Sequence, residues 1–248
     1  MEVAVRSKVQ RLYDACASVF RTGEDEPLTF EQIRWLQSLL DGVGPADVGI
    51  DGYGDEGPRV DERSPTSPRG LVLAHALEQI TYIHIHECQD FSMGVFCFPA
   101  GATMPLHDHP GMVVLTKVLY GSVSWNAYDW VSNPRKNGLA KVVAEERILQ
   151  SSTRTSVLFP RSGGNIHSFT ALTPCAILDV LTPPYSDELG MPSTYYIDIP
   201  IPWLPGFCIL EEAELPDDLV VAGAPYLGPE LIVVDEEEEE EEDDDDMY

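Results

Sequence analysis

Two histidines, His107 and His109, sit two residues apart in Gly101-Ala-Thr-Met-Pro-Leu-His-Asp-His-Pro-Gly111. On extended backbone, side chains at i and i+2 point to the same face. A glycine- and proline-rich approach precedes the pair, and the apolar run Met112-Val113-Val114-Leu115 follows it. Two imidazoles on one face of a rigid strand make half of a transition-metal site. The other half must come from a neighbouring strand that is remote in sequence. His167, in Phe159-Pro-Arg-Ser-Gly-Gly-Asn-Ile-His167, is the best candidate.

The surrounding grammar is that of a mainly β fold. Short runs follow one another at intervals of roughly ten residues: Thr81–Cys88, Ser92–Phe98, Met112–Leu119, Ser122–Trp130, Ala140–Leu149, Ser156–Phe159, His167–Leu172 and Ala176–Thr182. Turns containing Gly, Pro or Asn separate them, at Gly121, Asn133-Pro134, Asn137-Gly138, Gly163-Gly164 and Thr173-Pro174. Such spacing predicts an all-β sandwich or barrel. Residues 183–210 are proline-rich and carry an added strand at 195–199.

The first seventy residues differ. Val9, Leu12, Tyr13, Cys16, Val19 and Phe20 recur at helical spacing within 1–22. After a break at Gly23-Glu-Asp-Glu-Pro27, Thr29 and Gln32 form a capping box for a second helix. Its buried stripe is Phe30, Ile33, Leu36, Leu39 and Leu40, and it stops at Gly42. Asp47 to Gly70 is rich in Gly, Pro, Asp and Ser and reads as a surface loop. The expected organisation is therefore a helical cap and loop over 1–70, a β domain over 71–234 and an acidic disordered tail over 235–248.

The tail is the unbroken acidic run Asp235–Asp246, too charged to bury anything. Net charge is −27, and the twelve acids of that run leave −15 on the rest. Phosphates would be repelled, so direct nucleic-acid binding is disfavoured and basic or neutral partners are favoured. No apolar run approaches the roughly 20 residues of a membrane span. The N-terminus lacks a basic region followed by an apolar core, which points to an intracellular protein of cytoplasm or nucleus. Five widely spaced cysteines without a Cys-x-x-Cys read as reduced, mostly buried thiols.

The histidine stretch matches the first half of the cupin pattern, with Gly101 six residues before the first histidine and Gly121 about a dozen after the second. The glutamate usual four or five residues past the second histidine is absent: those positions are Val113 and Val114. In the second half, Pro160, Gly164 and His167 fit with two extra residues in the turn, and Ala171 replaces the usual asparagine. Three imidazoles and no carboxylate leave a ferrous ion its full charge, with open positions that suit a thiolate and dioxygen. Zinc held by the same three rings would instead activate water. His84 and His86 repeat the i, i+2 spacing without the glycine loop, and read as hydrogen-bonded or exposed residues of a neighbouring strand; His75, in Leu-Ala-His-Ala-Leu, reads as structural.

Several stretches resemble the plant cysteine oxidases, relatives of cysteamine (2-aminoethanethiol) dioxygenase. They include Ile80-Thr-Tyr-Ile-His-Ile-His-Glu-Cys88, Phe91-Ser-Met-Gly-Val-Phe-Cys97 and Pro105-Leu-His-Asp-His-Pro-Gly-Met112. Lys117–Val123, Gly163-Gly-Asn-Ile-His167, Leu178-Asp-Val-Leu181 and Pro183-Pro-Tyr185 extend the likeness to about Pro200. The resemblance implies a single cupin, a double-stranded β-helix, with Fe(2+) on His107, His109 and His167 and O2 as cosubstrate. It implies oxidation of the N-terminal cysteine of regulatory proteins, chiefly group VII ethylene response factors, to cysteine sulfinic acid. It implies that the oxidised protein is then arginylated and degraded, so that the enzyme senses oxygen. The chain is expected to act as a monomer. The resemblance also points to Asp179 and Tyr185 as residues lining or supporting the site. Asp179 lies in an apolar strand, where a carboxylate needs a partner; it either holds a loop or an arginine, or engages the substrate's α-amino group or a metal-bound water. Where many relatives carry a cysteine, this chain has Ser193. Val114, Leu119 and Phe98 are expected to shield the reacting centre from water.

Two other readings stay open. A zinc or manganese cupin doing isomerisation or hydrolysis would carry little iron and take up no O2 with thiols. A non-catalytic binding cupin would keep its fold and partner after loss of all three histidines.

Overall fold

The computed structural model describes residues 6–21, 27–50, 53–54, 57–58, 78–132, 137–186, 192–217 and 219–233. The acidic run 235–246, His75, the proposed domain boundary near 70 and the Asn133-Pro134 turn lie outside the described residues.

Helix α1 spans Lys8–Phe20 and is capped by Ser7, whose hydroxyl accepts the Gln10 N–H at 3.0 Å. Helix α2 spans Phe30–Asp41 and begins with the expected capping box: Thr29 Oγ1 accepts the Gln32 N–H at 3.2 Å, and Gln32 Oε1 accepts the Thr29 N–H at 2.8 Å. It ends at Gly42, but with right-handed backbone there. A short 3-10 helix, Pro45–Val48, follows and is closed by left-handed Gly49. Phe30 departs from the expected stripe: it is 73% exposed, under the Arg34 guanidinium. The first position of a helix projects away from the core seam that Ile33, Leu36 and Leu40 enter.

Among the described residues, after a two-rung ladder of β1 (Tyr53–Gly54) and β2 (Gly57–Pro58), twelve strands form the body. They are β3 (Ile80–Glu87), β4 (Ser92–Phe98), β5 (Thr103–His107), β6 (Val113–Tyr120), β7 (Ser122–Trp130), β8 (Gly138–Gln150), β9 (Ser156–Leu158), β10 (Ile166–Ala171), β11 (Cys175–Thr182), β12 (Tyr195–Pro200), β13 (Phe207–Ala213) and β14 (Val221–Ala224). Nine of them lie within two residues of the expected strands. Strands β13 and β14 are additions. β5 is the strand expected under the histidine pair, but it lies earlier, over the stretch read as a glycine loop, and ends at His107; β14 is short and pairs in parallel with β3 across a long sequence gap.

One sheet, β10-β5-β12-β13-β8-β7, closes on itself; the other runs β14-β3-β4-β11-β6-β9. This is the cupin barrel. The central strands of the second sheet, β4, β11 and β6, are buried on both faces, which explains their nearly continuous apolar sequences. The sheet's outer face, with Ile83, Met93, Val95, Leu178 and Val180, packs under the α1–α2 cap. Each fully buried aliphatic side chain in that seam contributes roughly 1.5–3 kcal/mol. Its inner face, with Phe98, Val118 and Ile177, meets Val123, Trp125 and Phe169 of the closed sheet. Leu119, expected near the reacting centre, instead faces the helical cap; it follows inward Val118 on the strand, and neighbours alternate.

The cap is also fixed by polar contacts. Lys117 is buried on β6, and its Nζ donates to the carbonyls of Ser151 at 2.7 Å and Thr153 at 2.9 Å. The Asp41 carboxylate, 4.0 Å from Nζ, accepts from the Thr155 N–H and hydroxyl. Lys117→Met would leave both carbonyls and Asp41 short of a partner. The expected loss is about 2–4 kcal/mol, a fall of roughly 5–15 °C in the thermal midpoint by calorimetry.

All five cysteines are free thiols, and all but half-buried Cys88 are buried. Burial pushes the Cys97 and Cys175 thiols up to about 12, away from the reactive thiolate. Among the described residues no helix is long and apolar enough to cross a membrane.

Candidate metal centre

His107 closes strand β5, and His167 is its Cα partner on β10. His109 lies two residues beyond the end of β5, so the pair does not share one strand as expected. The chain turns after His107, closing with the Met112 N–H on the His109 carbonyl, and swings the second ring back toward the first. The three rings converge: their centroids are 5.0, 4.9 and 4.8 Å apart, and one ligating nitrogen from each lies within 4.8 Å of the others. The Nε2 atoms of His109 and His167 stand 3.0 Å apart. Two nitrogens each about 2.1 Å from one ion would take up that separation.

The outer ring nitrogens fix the tautomers. His107 Nδ1–H donates to the Pro105 carbonyl at 2.8 Å. His109 Nδ1–H donates to the Tyr185 hydroxyl oxygen at 2.7 Å, and that O–H donates onward to the Asp108 carbonyl at 2.7 Å. Both arrangements leave the Nε2 lone pair aimed at the common point, the usual second tier of a metal site. Burial is the first cause that lowers the basicity of all three rings, strongly for His109 and His167, where neighbouring imidazoles add to it. Neutral rings are the ligating form. Among the described residues no Asp, Glu or Cys joins the cluster.

Three further residues, which spacing alone did not single out, hold these rings in place. Asn165, two positions before His167, is buried, and its amide grips the His109 backbone: Nδ2 donates to the His109 carbonyl at 2.8 Å, and Oδ1 accepts its N–H at 3.2 Å. Asp129 on β7 accepts the N–H groups of Gly163, Gly164 and Asn165 at 3.0, 2.9 and 3.1 Å. Both glycines there are left-handed, and a Cβ at Gly164 would meet the Ala127 methyl at 2.6 Å, so only glycine lets this turn lie flat on β7. Asp108, between the two histidines, faces away and accepts from the Thr194 N–H at 2.8 Å and the Tyr196 hydroxyl at 3.1 Å, tying the loop to β12. The signal available for Asn165 was its place in Gly-Gly-Asn-Ile-His; Asp129 and Asp108 gave none.

A cavity of about 470 Å³ opens from the imidazoles toward solvent, walled by Phe96, Phe98, Met104, Phe169, Ile177 and Leu181. Of the expected shields, Phe98 is in this wall and Val114 packs behind it with Met112 and Leu158. Asp179, on the inner face of β11, also faces the cavity. Its Oδ1 is buried without a hydrogen-bond partner, and burial lifts the carboxyl to about 7 against a hydrogen bond from Thr116. Tyr185 packs its ring 5.4 Å from that of His109. Ser193 lies at the cavity, its hydroxyl 3.5 Å from the Asp108 carbonyl and bonded to Tyr185.

His84 and His86 stay apart from this cluster because β3 bulges between them. His84 pairs with Gly94 and is exposed; beyond the bulge His86 pairs with Met93 on the opposite face, against the Tyr13 and Phe91 rings. One inserted residue reverses the side-chain alternation, so these histidines cannot share a ligand.

Tyr185→Phe would remove the acceptor for His109 Nδ1–H and keep the ring packing. Metal affinity is expected to fall by about 10–100-fold, read by competition with a chelating dye, with the fold intact by circular dichroism.

The sequence matches the PCO_ADO family over residues 39–231. It is 36% identical to plant cysteine oxidase 1 of Arabidopsis thaliana, over 90% of this chain and 80% of that one. Against plant cysteine oxidase 2 of the same species the identity is 37%, over 90% and 83%. With the 2-aminoethanethiol dioxygenase of Mus musculus it is 31%, over 91% and 97%. Matched over most of its length by the family and by full-length relatives of both kinds, the chain belongs to the PCO_ADO family.

Proposed function

We propose that the protein is a thiol dioxygenase holding Fe(2+) on His107, His109 and His167, and that it converts an N-terminal cysteine to cysteine sulfinic acid. The observation that carries this is the carboxylate-free set of three converging imidazoles lining a cavity open to solvent. The names of the relatives support the same chemistry. When bound, the ferrous ion supplies adjacent positions for a thiolate and dioxygen and a path for electrons between them. Both oxygen atoms end on sulfur, and sulfur supplies the electrons that reduce them, so no separate reductant enters the balance.

The chain's own residues prepare that encounter. Pro105 and Tyr185 hold the His107 and His109 rings in the ligating tautomer. The aromatic wall of Phe96, Phe98 and Phe169 excludes water from the reacting sulfur. Asp179, as a carboxylate, receives the substrate's α-ammonium group; its lone Oδ1 is otherwise a buried acceptor without a donor. The proposed substrates are proteins with an exposed N-terminal cysteine, chiefly group VII ethylene response factors. Their sulfinylated ends then enter arginylation and degradation, so that falling oxygen spares them. The setting is the cytoplasm, the nucleus or both, and the working unit is a monomer.

Oxygen uptake by metal-stripped protein reloaded with ferrous ion or with zinc tests this. With a Cys-initiating peptide, uptake is expected only in the iron form. Uptake in neither form, or equal hydrolytic activity in the zinc form, would reject the proposal.

A further inference from the structure

Position 94 is a glycine on the inner face of β4, between inward-facing neighbours that carry side chains. A Cβ there would lie 2.4 Å from both the Tyr82 hydroxyl and a Tyr82 ring carbon. Its φ is ordinary, so backbone freedom is not the reason for the glycine. The reason is the seat it gives to the Tyr82 ring, which leans across from β3 and packs 4.8 Å from Phe96. Gly94 is also the cross-strand partner of Asp179. The Tyr82 hydroxyl is thus delivered beside the Asp179 position, on the same cavity wall. Asp179 Oδ1 is buried and has no hydrogen-bond partner, and the Tyr82 side chain lines the same cavity.

We propose that Tyr82, seated on Gly94, completes with Asp179 a subsite for the free α-ammonium group of the substrate. Tyr82 then determines the preference for an unblocked N-terminus. This rests on the thiol dioxygenase reading and extends it. An ammonium group carries several N–H donors diverging from one atom. Asp179 Oδ1 accepts one and the Tyr82 oxygen another. The cavity that holds the three imidazoles also holds Asp179, Tyr82 and exposed Glu87, so an ammonium group held by Asp179 and Tyr82 shares one chamber with a thiol seated at the imidazoles. Burial and these two carboxylates push the Tyr82 hydroxyl up to about 12, so it stays a neutral phenol.

The test compares a free Cys-initiating peptide with its N-acetyl and desamino forms. Wild-type oxidation should favour the free amine by about 100-fold or more, and Tyr82→Phe should cut that preference by about 10–100-fold through KM. Gly94→Ala, which unseats the ring, should act in the same direction. Binding is read separately, by calorimetry, with a Ser-initiating peptide and metal-free protein. Tyr82→Phe should weaken it by about tenfold, and N-acetylation should abolish it. Equal binding of free and acetylated peptides, or an unchanged preference in Tyr82→Phe, would overturn the subsite. Intact, amine-dependent binding without any thiol oxidation would instead overturn the dioxygenase reading and leave the subsite standing.

Discussion

Substituting alanine for His167 is expected to lower thiol oxidation by at least about a thousandfold and to remove tight metal binding. His107 and His109 share one loop and its approach strand, whereas His167 alone brings a ring from β10. Two imidazoles on a short segment leave the ion mostly to water. The physical signature separates this from unfolding. In the wild type, ferrous or zinc ion at about a thousand times its dissociation constant adds about 4 kcal/mol to stability, or roughly 8–16 °C in the thermal midpoint. His167→Ala should show no such rise. Ile166→Ala, beside it and fully buried in another cluster, should lower the midpoint of the metal-free protein and keep the metal-induced rise.

Asp179→Asn should move activity and stability in opposite directions. The carboxyl is lifted from an ordinary 3.8 to about 7, with burial the first cause. An acid raised in the folded state contributes most below its unfolded value. That contribution is lost as pH climbs from about 4 to about 7, and the penalty is constant above. The full gap corresponds to at most about 4 kcal/mol, and screening through the open cavity lowers it to about 2 kcal/mol. Asparagine removes the titration. The variant should therefore match the wild type near pH 4 and exceed it by about 1–3 kcal/mol at pH 8, read by urea titration at both pH values. Activity should fall, because the ammonium loses its counter-charge. In the wild type, kcat/KM should rise with pH through about 7 as Asp179 ionises; the variant should lose that limb. Equal stability at pH 8 together with full activity would remove Asp179 from the site.

What the sequence made legible follows from the range over which each feature is determined. The helix caps and most strands depend on local spacing, and Thr29–Gln32 or Ser92–Phe98 appear where expected. The three histidines were legible because their spacing and glycines are local, although the turn after His107, rather than one straight strand, brings His109 round. Features set by distant partners were hidden. The bulge that splits His84 from His86 answers to β4. β14 exists because β3 offers an edge, and its Val-Ala-Gly-Ala sequence has little strand character of its own. Asp129 looks like any strand-end acid until three N–H groups from a remote turn are seen to point at it. The direction of Leu119 rather than Val118 depended on which face the helical cap would cover.

The most direct measurement is mass spectrometry of a Cys-initiating peptide incubated with the iron-loaded protein under oxygen-18 gas in ordinary water. The expected product gains two heavy oxygens on the terminal cysteine and none from solvent. A product carrying solvent oxygen, a single heavy atom, or only a disulfide would contradict a dioxygenase built on His107, His109 and His167.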